Sequence, residues 1–266
     1  MKRDPAKQNV WTRNLSRGEM LGLMGSTAAT VALAGCSIGG QSSSEETTSA
    51  SSAESTTSTV AQTSPSCVVR PQQTEGPYFV DERLNRSDIR TEPSDGSVKE
   101  GVPLDLTFNV SRSDSISSCT PLAGAIVNVW QCDALGQYSD VQDAAEGFDT
   151  RGQKFLRGYQ VTDKNGTARF TTIYPGWYKG RAVHIHFKIR TDPDSGQGYE
   201  FTSQLYFDDS LTDQVHAQAP YAAKGQRDLR NDEDGIFQDG GDELMLPLTR
   251  AGQGYSGTFD IALENA

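Results

Sequence analysis

Positive charge, histidine and cysteine are all scarce in this 266-residue sequence. The 24 Lys and Arg residues are outnumbered by 35 Asp and Glu residues, so the formal net charge is -11. Such an acidic chain is a poor candidate for binding nucleic acid or an anionic membrane surface. The sequence also contains no fixed-period repeat and no long stripe of apolar residues at helical spacing, which argues against a mainly helical domain.

A short apolar run follows a basic stretch near the N-terminus. Five basic side chains precede the run from Met20 to Gly35, and Cys36 comes directly after it. About fifteen apolar and small residues are too few for a permanent membrane helix and are typical of an export signal. Small residues before a cysteine also resemble the lipobox of bacterial lipoproteins. We therefore expect residues 1–35 to be a lipoprotein-type signal peptide, with an ordinary secretory signal cut nearby as the alternative.

In this interpretation Cys36 carries a lipid that anchors an exported protein to the membrane, at the cell surface or in the extracellular space. Ser and Thr make up more than half of residues 40–66. That composition has too little apolar surface to offset the entropy of ordering, so we expect residues 36–66 to form a flexible tether. The remaining residues, 67–266, are enough for one substantial core but few for two. They predict a single domain.

This domain is predicted to be all-β, because short apolar stretches recur with turn residues between them. The best turn signal is Asn165-Gly166, a pair that tolerates the positive φ angles of a tight hairpin. Strands of this number and length favour an antiparallel two-sheet β-sandwich. The predicted strands are Val102–Val110, Ala123–Trp130, Gly158–Thr162, Thr167–Thr172, Val183–Ile189, Phe201–Phe207, Leu244–Leu248 and Gly254–Leu263.

Three cysteines besides Cys36 would meet an oxidising compartment after export. Cys119 and Cys132 bracket the apolar stretch Ala123 to Gln131, which as a strand would hold them roughly 30 Å or more apart at about 3.3 Å per residue. A disulfide needs Cα atoms within about 7 Å of each other. The favoured disulfide therefore joins Cys67 to Cys119. A bond between Cys67 and Cys132, and three reduced thiols, are the alternatives.

Two of the three histidines lie two positions apart, in His184-Ile185-His186. On a strand, residues i and i+2 face the same side, so both imidazoles would point one way while Ile185 and Phe187 pack behind them. This spacing predicts a metal-binding pair, although two structural histidines would give the same pattern. The third histidine, His216, lies in a polar stretch and is interpreted as structural.

Segments before and after this histidine pair carry further motifs in a fixed order. They are Thr74-Glu75-Gly76-Pro77-Tyr78, then Trp130 to Ser139 with Tyr138, then Pro175-Gly176-Trp177-Tyr178 with Arg181 and His184-Ile185-His186-Phe187, and finally Ser203-Gln204-Leu205-Tyr206-Phe207. Together they resemble the signature of the intradiol ring-cleavage dioxygenases. The fold of that family has a β-sandwich core, which agrees with the strands predicted above.

The resemblance implies a cofactor, a single non-haem Fe³⁺ ion in each chain. Tyr138 and His184 would be its equatorial ligands, and Tyr178 and His186 its axial ligands. Two phenolates are hard anionic donors that favour Fe³⁺ over softer or less charged metals. Without the histidine pair and the family pattern, both tyrosines would be interpreted as packing residues.

The resemblance also implies a reaction. A catechol-type substrate would bind the metal through both of its oxygens, and both atoms of O₂ would be inserted as the ring opens between the two hydroxylated carbons, giving a muconate-type diacid. Tyr178 would leave the metal and accept a proton. Arg181 would stabilise negative charge on the ring, and Gln204 would help to position or polarise the substrate. The residues expected to line the substrate cavity are Gly76, Pro77 and Tyr78.

Two other functions fit part of the sequence. A cupin-type metal enzyme also carries His-x-His on a β-barrel, but Arg190 occupies the place of its expected Glu ligand, and a cupin has no use for the two tyrosines. A non-catalytic cell-surface sandwich that binds carbohydrate or protein fits the signal, the tether and the fold equally well. The acidic stretch 230–235 is interpreted as a solvated turn and not as a calcium loop, because Arg230 stands at the first ligand position.

Overall fold

The computed structural model describes residues 67–115, 118–191 and 198–264. The predicted signal peptide, the tether and Cys36 lie outside the described residues. The strands are β1 (Pro103–Ser115), β2 (Ser118–Pro121), β3 (Ile126–Trp130), β4 (Gln142–Asp143), β5 (Phe148–Asp149), β6 (Arg157–Val161), β7 (Thr167–Ile173), β8 (His184–Arg190), β9 (Glu200–Tyr206), β10 (Leu248–Ala251) and β11 (Gly254–Glu264).

One α-helix, α1 (Asp209–His216), follows β9, and 3₁₀ helices span Tyr221–Lys224, Asn231–Glu233 and Gly241–Leu244. Among the described residues, no helix is long and apolar enough to cross a membrane.

Two sheets form a sandwich. Sheet A has the order β10-β11-β1-β2, with β7 paired to the first half of β1, and sheet B has the order β6-β3-β8-β9. Strands β4 and β5 form a separate two-stranded hairpin. The strand pairs are antiparallel except for β1 and β11, which run parallel from Leu104 opposite Tyr255 to Ser113 opposite Glu264. The predicted all-β sandwich is confirmed, and one of the pairs formed by the named strands of the described residues is parallel.

The core between the sheets is rich in phenylalanine. Phe108 on β1 and Phe259 on β11 meet Phe187 on β8, with ring centroids 5.2 and 5.6 Å from that of Phe187. Because successive residues of a strand point to opposite faces, His184 and His186 lie on the face of β8 that points away from this core. The core thus fixes which side of sheet B can carry a metal site.

Two local predictions are corrected by the structure. The turn at Asn165-Gly166 exists, and Gly166 N donates to Asp163 O at 2.9 Å, but it connects β6 of sheet B to β7 of sheet A and so is not a hairpin within one sheet. The predicted strand Leu244–Leu248 is wrong, because a 3₁₀ helix ends at Leu244 and β10 begins only at Leu248. Helix α1 was not predicted, since its eight residues are too few to show a clear helical period.

The disulfide is the one that the sequence favoured. Cys67 is bonded to Cys119, with Cα atoms 5.4 Å apart. Cys119 lies on the edge strand β2, so the bond ties the start of the described chain to sheet A. Cys132 is a buried free thiol, which excludes the alternative bond between Cys67 and Cys132.

Candidate active site

The two histidines of β8 direct their Nε2 atoms towards each other. The Nε2 atoms of His184 and His186 are 3.0 Å apart, and both side chains are buried. His184 Nδ1 lies 2.6 Å from Ala182 O. Only an N–H group can donate to this carbonyl, so Nδ1 carries the hydrogen and Nε2 keeps a lone pair. This is the tautomer that binds a metal through Nε2.

Two phenols approach the same lone pair. Tyr138 Oη and Tyr178 Oη lie 3.5 and 3.2 Å from His184 Nε2. Three polar groups around a single lone pair are more than hydrogen bonding can satisfy. A cation among the four donor atoms would satisfy all of them, and ligand atoms that are about 2 Å from a metal and at right angles lie about 3 Å apart. The donor set therefore fits a metal ion.

Burial keeps all four groups neutral as long as no cation is bound. It raises the pKa of Tyr178 to about 12 and raises that of Tyr138 well above its ordinary value. It also lowers the pKa of His184 to about 3 and that of His186 well below its ordinary value. Neutral imidazoles are ready to bind a metal, whereas the phenols would lose their protons only in exchange for one.

The two tyrosines are essential to this assignment. Across residues 67–115, 118–191 and 198–264, no group of three or more His, Cys, Asp and Glu side chains is placed to hold a metal ion. The four-donor set contains only two residues of those types, His184 and His186. The metal hypothesis therefore depends on phenol ligands, which the sequence proposed only through its family resemblance.

Close contact between two backbone segments brings the tyrosines together. A Cβ atom at Gly136 would lie 2.1 Å from Trp177 O, and one at Gly176 would lie 2.4 Å from Asp133 O. Gly136 also has a φ of 81°, which side chains disfavour. Each candidate tyrosine follows its glycine by two positions. Glycine is therefore needed at both positions for the two tyrosine-bearing loops to approach each other.

Arg181 is held beside the candidate ligands by buried acceptors. Its Nε donates to Asp234 Oδ2 at 2.9 Å and its Nη2 to Gln204 Oε1 at 2.6 Å. Gln204 is fully buried, is paired with His186 in the sheet, and donates from Nε2 to Thr74 O at 3.0 Å. Arg181 and Gln204, both proposed as catalytic from the sequence, thus lie together on the side of sheet B that carries the candidate ligands.

Asp234 corrects the interpretation of residues 230–235 as a solvated turn. It is only 1% exposed, and besides Arg181 its carboxylate accepts hydrogen bonds from the backbone N–H groups of Ala182 and Ile236, both at 2.8 Å. Burial acts to raise the pKa of Asp234, but Arg181 and these N–H groups lower it below its ordinary value. A run of polar residues resembles a solvated turn, whereas here one of them is buried and neutralises Arg181, whose side chain is 13% exposed.

The segment that contains Gly76 crosses the side of sheet B that carries His184 and His186. Glu75 forms an ion pair with Lys188 of β8 at 2.8 Å, and Lys188 also pairs with Glu200 of β9 at 2.8 Å. Gly76 has a φ of 69°, and a Cβ atom there would lie 3.3 Å from Cε1 of His186. The backbone therefore passes directly over the candidate ligand His186.

Tyr78 covers both candidate phenol ligands. Its ring stacks on that of Tyr138 at a centroid distance of 4.5 Å and meets Tyr178 edge-on at 5.7 Å. Its hydroxyl donates a hydrogen bond to the carboxylate of Asp143 in the β4–β5 hairpin. Gly76 and Tyr78 thus border the site, and Pro77 between them is exposed. The role of Asp143 was not predicted, because 65 residues separate it from Tyr78.

Two aromatic residues pack against residues or loops of the candidate site. Trp130 stacks on the His186 ring at 4.9 Å and an interplanar angle of 4°. His216 is buried, and its Nε2 lies 3.0 Å from Pro175 O, so it holds the loop that carries Tyr178. This supporting contact agrees with the structural role predicted for His216.

Comparison with known proteins gives consistent relatives. A family model described as "Dioxygenase" matches residues 74–245. Among solved structures, an intradiol ring-cleavage dioxygenase from Tetranychus urticae is 31% identical with a TM-score of 0.63, over 74% of this chain and 95% of that chain. A protocatechuate 3,4-dioxygenase beta chain from Burkholderia cepacia is 29% identical over 179 residues, which are 63% of this chain and 68% of that protein.

A chlorocatechol 1,2-dioxygenase from Pseudomonas putida is also similar, at 29% identity over 154 residues. The match covers 50% of this chain and 52% of that protein. The chain thus spans about half the length of this curated relative.

Proposed function

The chain belongs to the intradiol ring-cleavage dioxygenase family, and on this premise we propose that it is a non-haem Fe³⁺ enzyme that cleaves catechol-type aromatics. The proposed reaction inserts both atoms of O₂ and opens the ring between the two hydroxylated carbons, giving a muconate-type diacid. The main support for this proposal is the arrangement of the four donor atoms. Tyr138 Oη, Tyr178 Oη and His186 Nε2 all lie 3.0 to 3.5 Å from His184 Nε2. Relatives named for chlorocatechol and protocatechuate support a catechol-type substrate.

Tyr138, Tyr178, His184 and His186 would hold the iron. Two phenolates favour Fe³⁺, and neutral imidazoles complete the set without adding charge. Bound there, the ion would supply Lewis acidity towards the catechol and a template that orients it for O₂.

Tyr178 is the proposed proton acceptor for the substrate. It is 8% exposed, whereas Tyr138 is 0% exposed, so Tyr178 is the phenol that an incoming catechol reaches. Burial raises its pKa to about 12, which makes its phenolate a strong base. A phenolate displaced by the substrate would therefore take a catechol proton from a hydroxyl oxygen and keep it.

Arg181 is the proposed stabiliser of negative charge on the substrate. Its guanidinium is always charged, and Asp234 and Gln204 hold it in place at 2.9 and 2.6 Å. A donor that is already oriented costs little reorganisation when charge develops in the ring. Tyr78 and the backbone at Gly76 would exclude water on the opposite side of the site.

The test is metal content, colour and product of the full chain. We expect about one iron per chain and a red colour from charge transfer between tyrosinate and Fe³⁺. A panel of catechols should give colourless diacids that absorb in the ultraviolet, and Arg181→Ala should slow their formation by on the order of 10² to 10³ fold with iron retained. A colourless zinc protein would contradict the proposal and favour a binding module, and a yellow semialdehyde would show that a different bond is cut.

We also propose that the enzyme is exported and anchored through a lipid on Cys36, with residues 36–66 as the tether. The proposal rests on the basic and apolar pattern of residues 1–35. Cys36→Ala should abolish labelling with radioactive fatty acid in a bacterial host and move the protein from the membrane fraction to the soluble fraction. An unlabelled parent chain would contradict the anchor.

A further inference from the structure

A row of directly paired residues crosses sheet B on the side of the metal centre. Arg157 on β6 pairs with Trp130 on β3, Trp130 pairs with His186 on β8, and His186 pairs with Gln204 on β9. Directly paired residues share a face of the sheet. Arg157 therefore lies on the same face as the candidate ligands, at the opposite end of the row from Gln204.

Arg157 holds the main chain next to Tyr138. It is 2% exposed, and its Nη2 donates to Ser139 O at 2.6 Å while its Nε donates to Ser139 Oγ at 2.9 Å. At the preceding peptide unit, Thr150 Oγ1 donates to Tyr138 O at 2.5 Å. Two buried side chains thus fix the backbone that presents the Tyr138 phenol.

In the described part of the chain, no carboxylate is hydrogen-bonded to the guanidinium of Arg157. Glu82 and Asp140 interact with its charge at longer range, but Glu82 is paired with Lys154 and Asp140 accepts from Gly152 N at 2.7 Å. Burial lowers the pKa of Arg157 to about 10, so the group still carries its charge at neutral pH. A buried cation of this kind is stable where a negative charge faces it.

On the basis of the proposed function, we infer that Arg157 is a positioning residue of the metal centre, which holds the Tyr138 main chain through Ser139 and supplies a fixed positive charge to the anionic Tyr138 ligand. Once ionised by a metal, Tyr138 would be among the groups whose negative charge interacts with Arg157. Arg181 differs, because Asp234 neutralises it and it acts on the substrate side. Groups behind a metal ligand typically change metal affinity by about 10- to 100-fold when they are lost.

The experiment compares the full chain with two variants. Arg157→Met keeps a long side chain but loses its charge, and Arg157→Lys keeps the charge but loses the planar guanidinium that binds both Ser139 oxygens. Iron affinity is measured by competition with a chelator, and the tyrosinate-to-iron charge-transfer band by absorption. Arg157→Met should weaken iron binding by on the order of 10- to 100-fold. It should also move the band to longer wavelength, because a phenolate without its positive neighbour gives up an electron more easily. Arg157→Lys should restore part of both.

The matched control is Arg86→Met. Arg86 is a half-buried arginine that also donates to backbone carbonyls, those of Arg157, Thr91 and Lys154, but it does not contact Ser139. It should change thermal stability and leave the band in place. If Arg157→Met does not fold, Arg157→Lys decides, because an ammonium group lacks the planar arrangement of N–H groups with which the guanidinium binds both Ser139 oxygens.

An unshifted band and parent affinity in the folded Arg157 variants would overturn the inference while the proposed function stands. A parent chain that binds no iron would overturn both.

Discussion

Replacement of Asp234 by Asn tests whether the buried ion pair with Arg181 is as important as its geometry indicates. The substitution removes a negative charge that is 1% exposed. It also turns one acceptor oxygen into a donor facing either the N–H groups of Arg181 and Ala182 or that of Ile236. Removing one partner of a buried ion pair costs about 3–5 kcal/mol. We expect the free energy of unfolding to fall by that amount, a large part of the roughly 5–15 kcal/mol of a typical domain.

Chemical denaturation of both proteins at pH 7 gives this difference. The matched control is Asp213→Asn, the same substitution at a carboxylate that pairs with Arg227 and Arg230 but has a side chain 46% exposed. Exposed pairs contribute at most about 1 kcal/mol. If Asp234→Asn costs no more than this control, Arg181 does not need the charge of Asp234 to be stable there, and our account of the pair is wrong.

The pH dependence provides a second check. Burial acts to raise the pKa of Asp234, but Arg181 and backbone N–H groups lower it below the ordinary value. A lowered pKa in the folded state means that the stabilisation is present above the unfolded value of about 4 and is lost as the pH falls through the folded value. The difference between the parent protein and Asp234→Asn should therefore shrink in acid, whereas a constant difference would point to packing alone.

Gly76, Tyr178 and the disulfide each give one further prediction. Gly76→Ala should lower the free energy of unfolding by about 1–2 kcal/mol because the φ of residue 76 is positive. The added Cβ atom, 3.3 Å from His186 Cε1, should also reduce the iron content. Thermal unfolding and metal analysis measure the two effects, and unchanged values would contradict the close approach of the backbone to His186. The Tyr178→Phe variant should keep part of its iron but cleave catechols more slowly by on the order of 10² fold or more. The rate of product formation per bound iron measures this effect. A variant that works at the parent rate would exclude the proton-acceptor role of Tyr178. Reduction of the Cys67–Cys119 bond, which spans 52 residues, should lower the free energy of unfolding by about 4 kcal/mol, and an unchanged denaturation midpoint would refute this.

The strands could be predicted from the sequence where neighbouring side chains alternate between the two faces of a sheet. The residues of β8 alternate between the core and the metal face, and this two-residue period can be read without knowledge of any neighbour. The stretch Leu244–Leu248 is apolar as well, but Leu244 belongs to a 3₁₀ helix and Met245 forms an isolated bridge with Tyr206. Only its last residue, Leu248, belongs to a strand, where it pairs with Gly257. Local apolarity predicted the burial of Leu244 and Leu246 correctly and the backbone conformation of the stretch wrongly.

The residues of the candidate site could be predicted from the sequence where their partners lie close by in the chain. His184 and His186 follow from spacing alone, whereas Tyr138 lies 46 residues from His184 and could be proposed only from the family resemblance. Asp234 was missed because its partner, Arg181, is 53 residues away. A buried cation requires a counter-charge, but the sequence does not say which of its 35 acidic residues supplies it.

Stability and the candidate chemistry share one constraint in strand β8. Phe187 packs against Phe108 and Phe259 in the core, while His186 on the opposite face aligns with Trp130 and Gln204. Because side chains alternate with a period of two, a register slip of one residue would move both histidines into the core and Phe187 to the metal face. The aromatic core therefore excludes the register in which the metal site could not form. The packing of Phe187 thus holds β8 in the register that places His186 beside Trp130 and Gln204. Substitutions of Phe187 that loosen the core should therefore disturb the alignment of His186, even though Phe187 points away from the site.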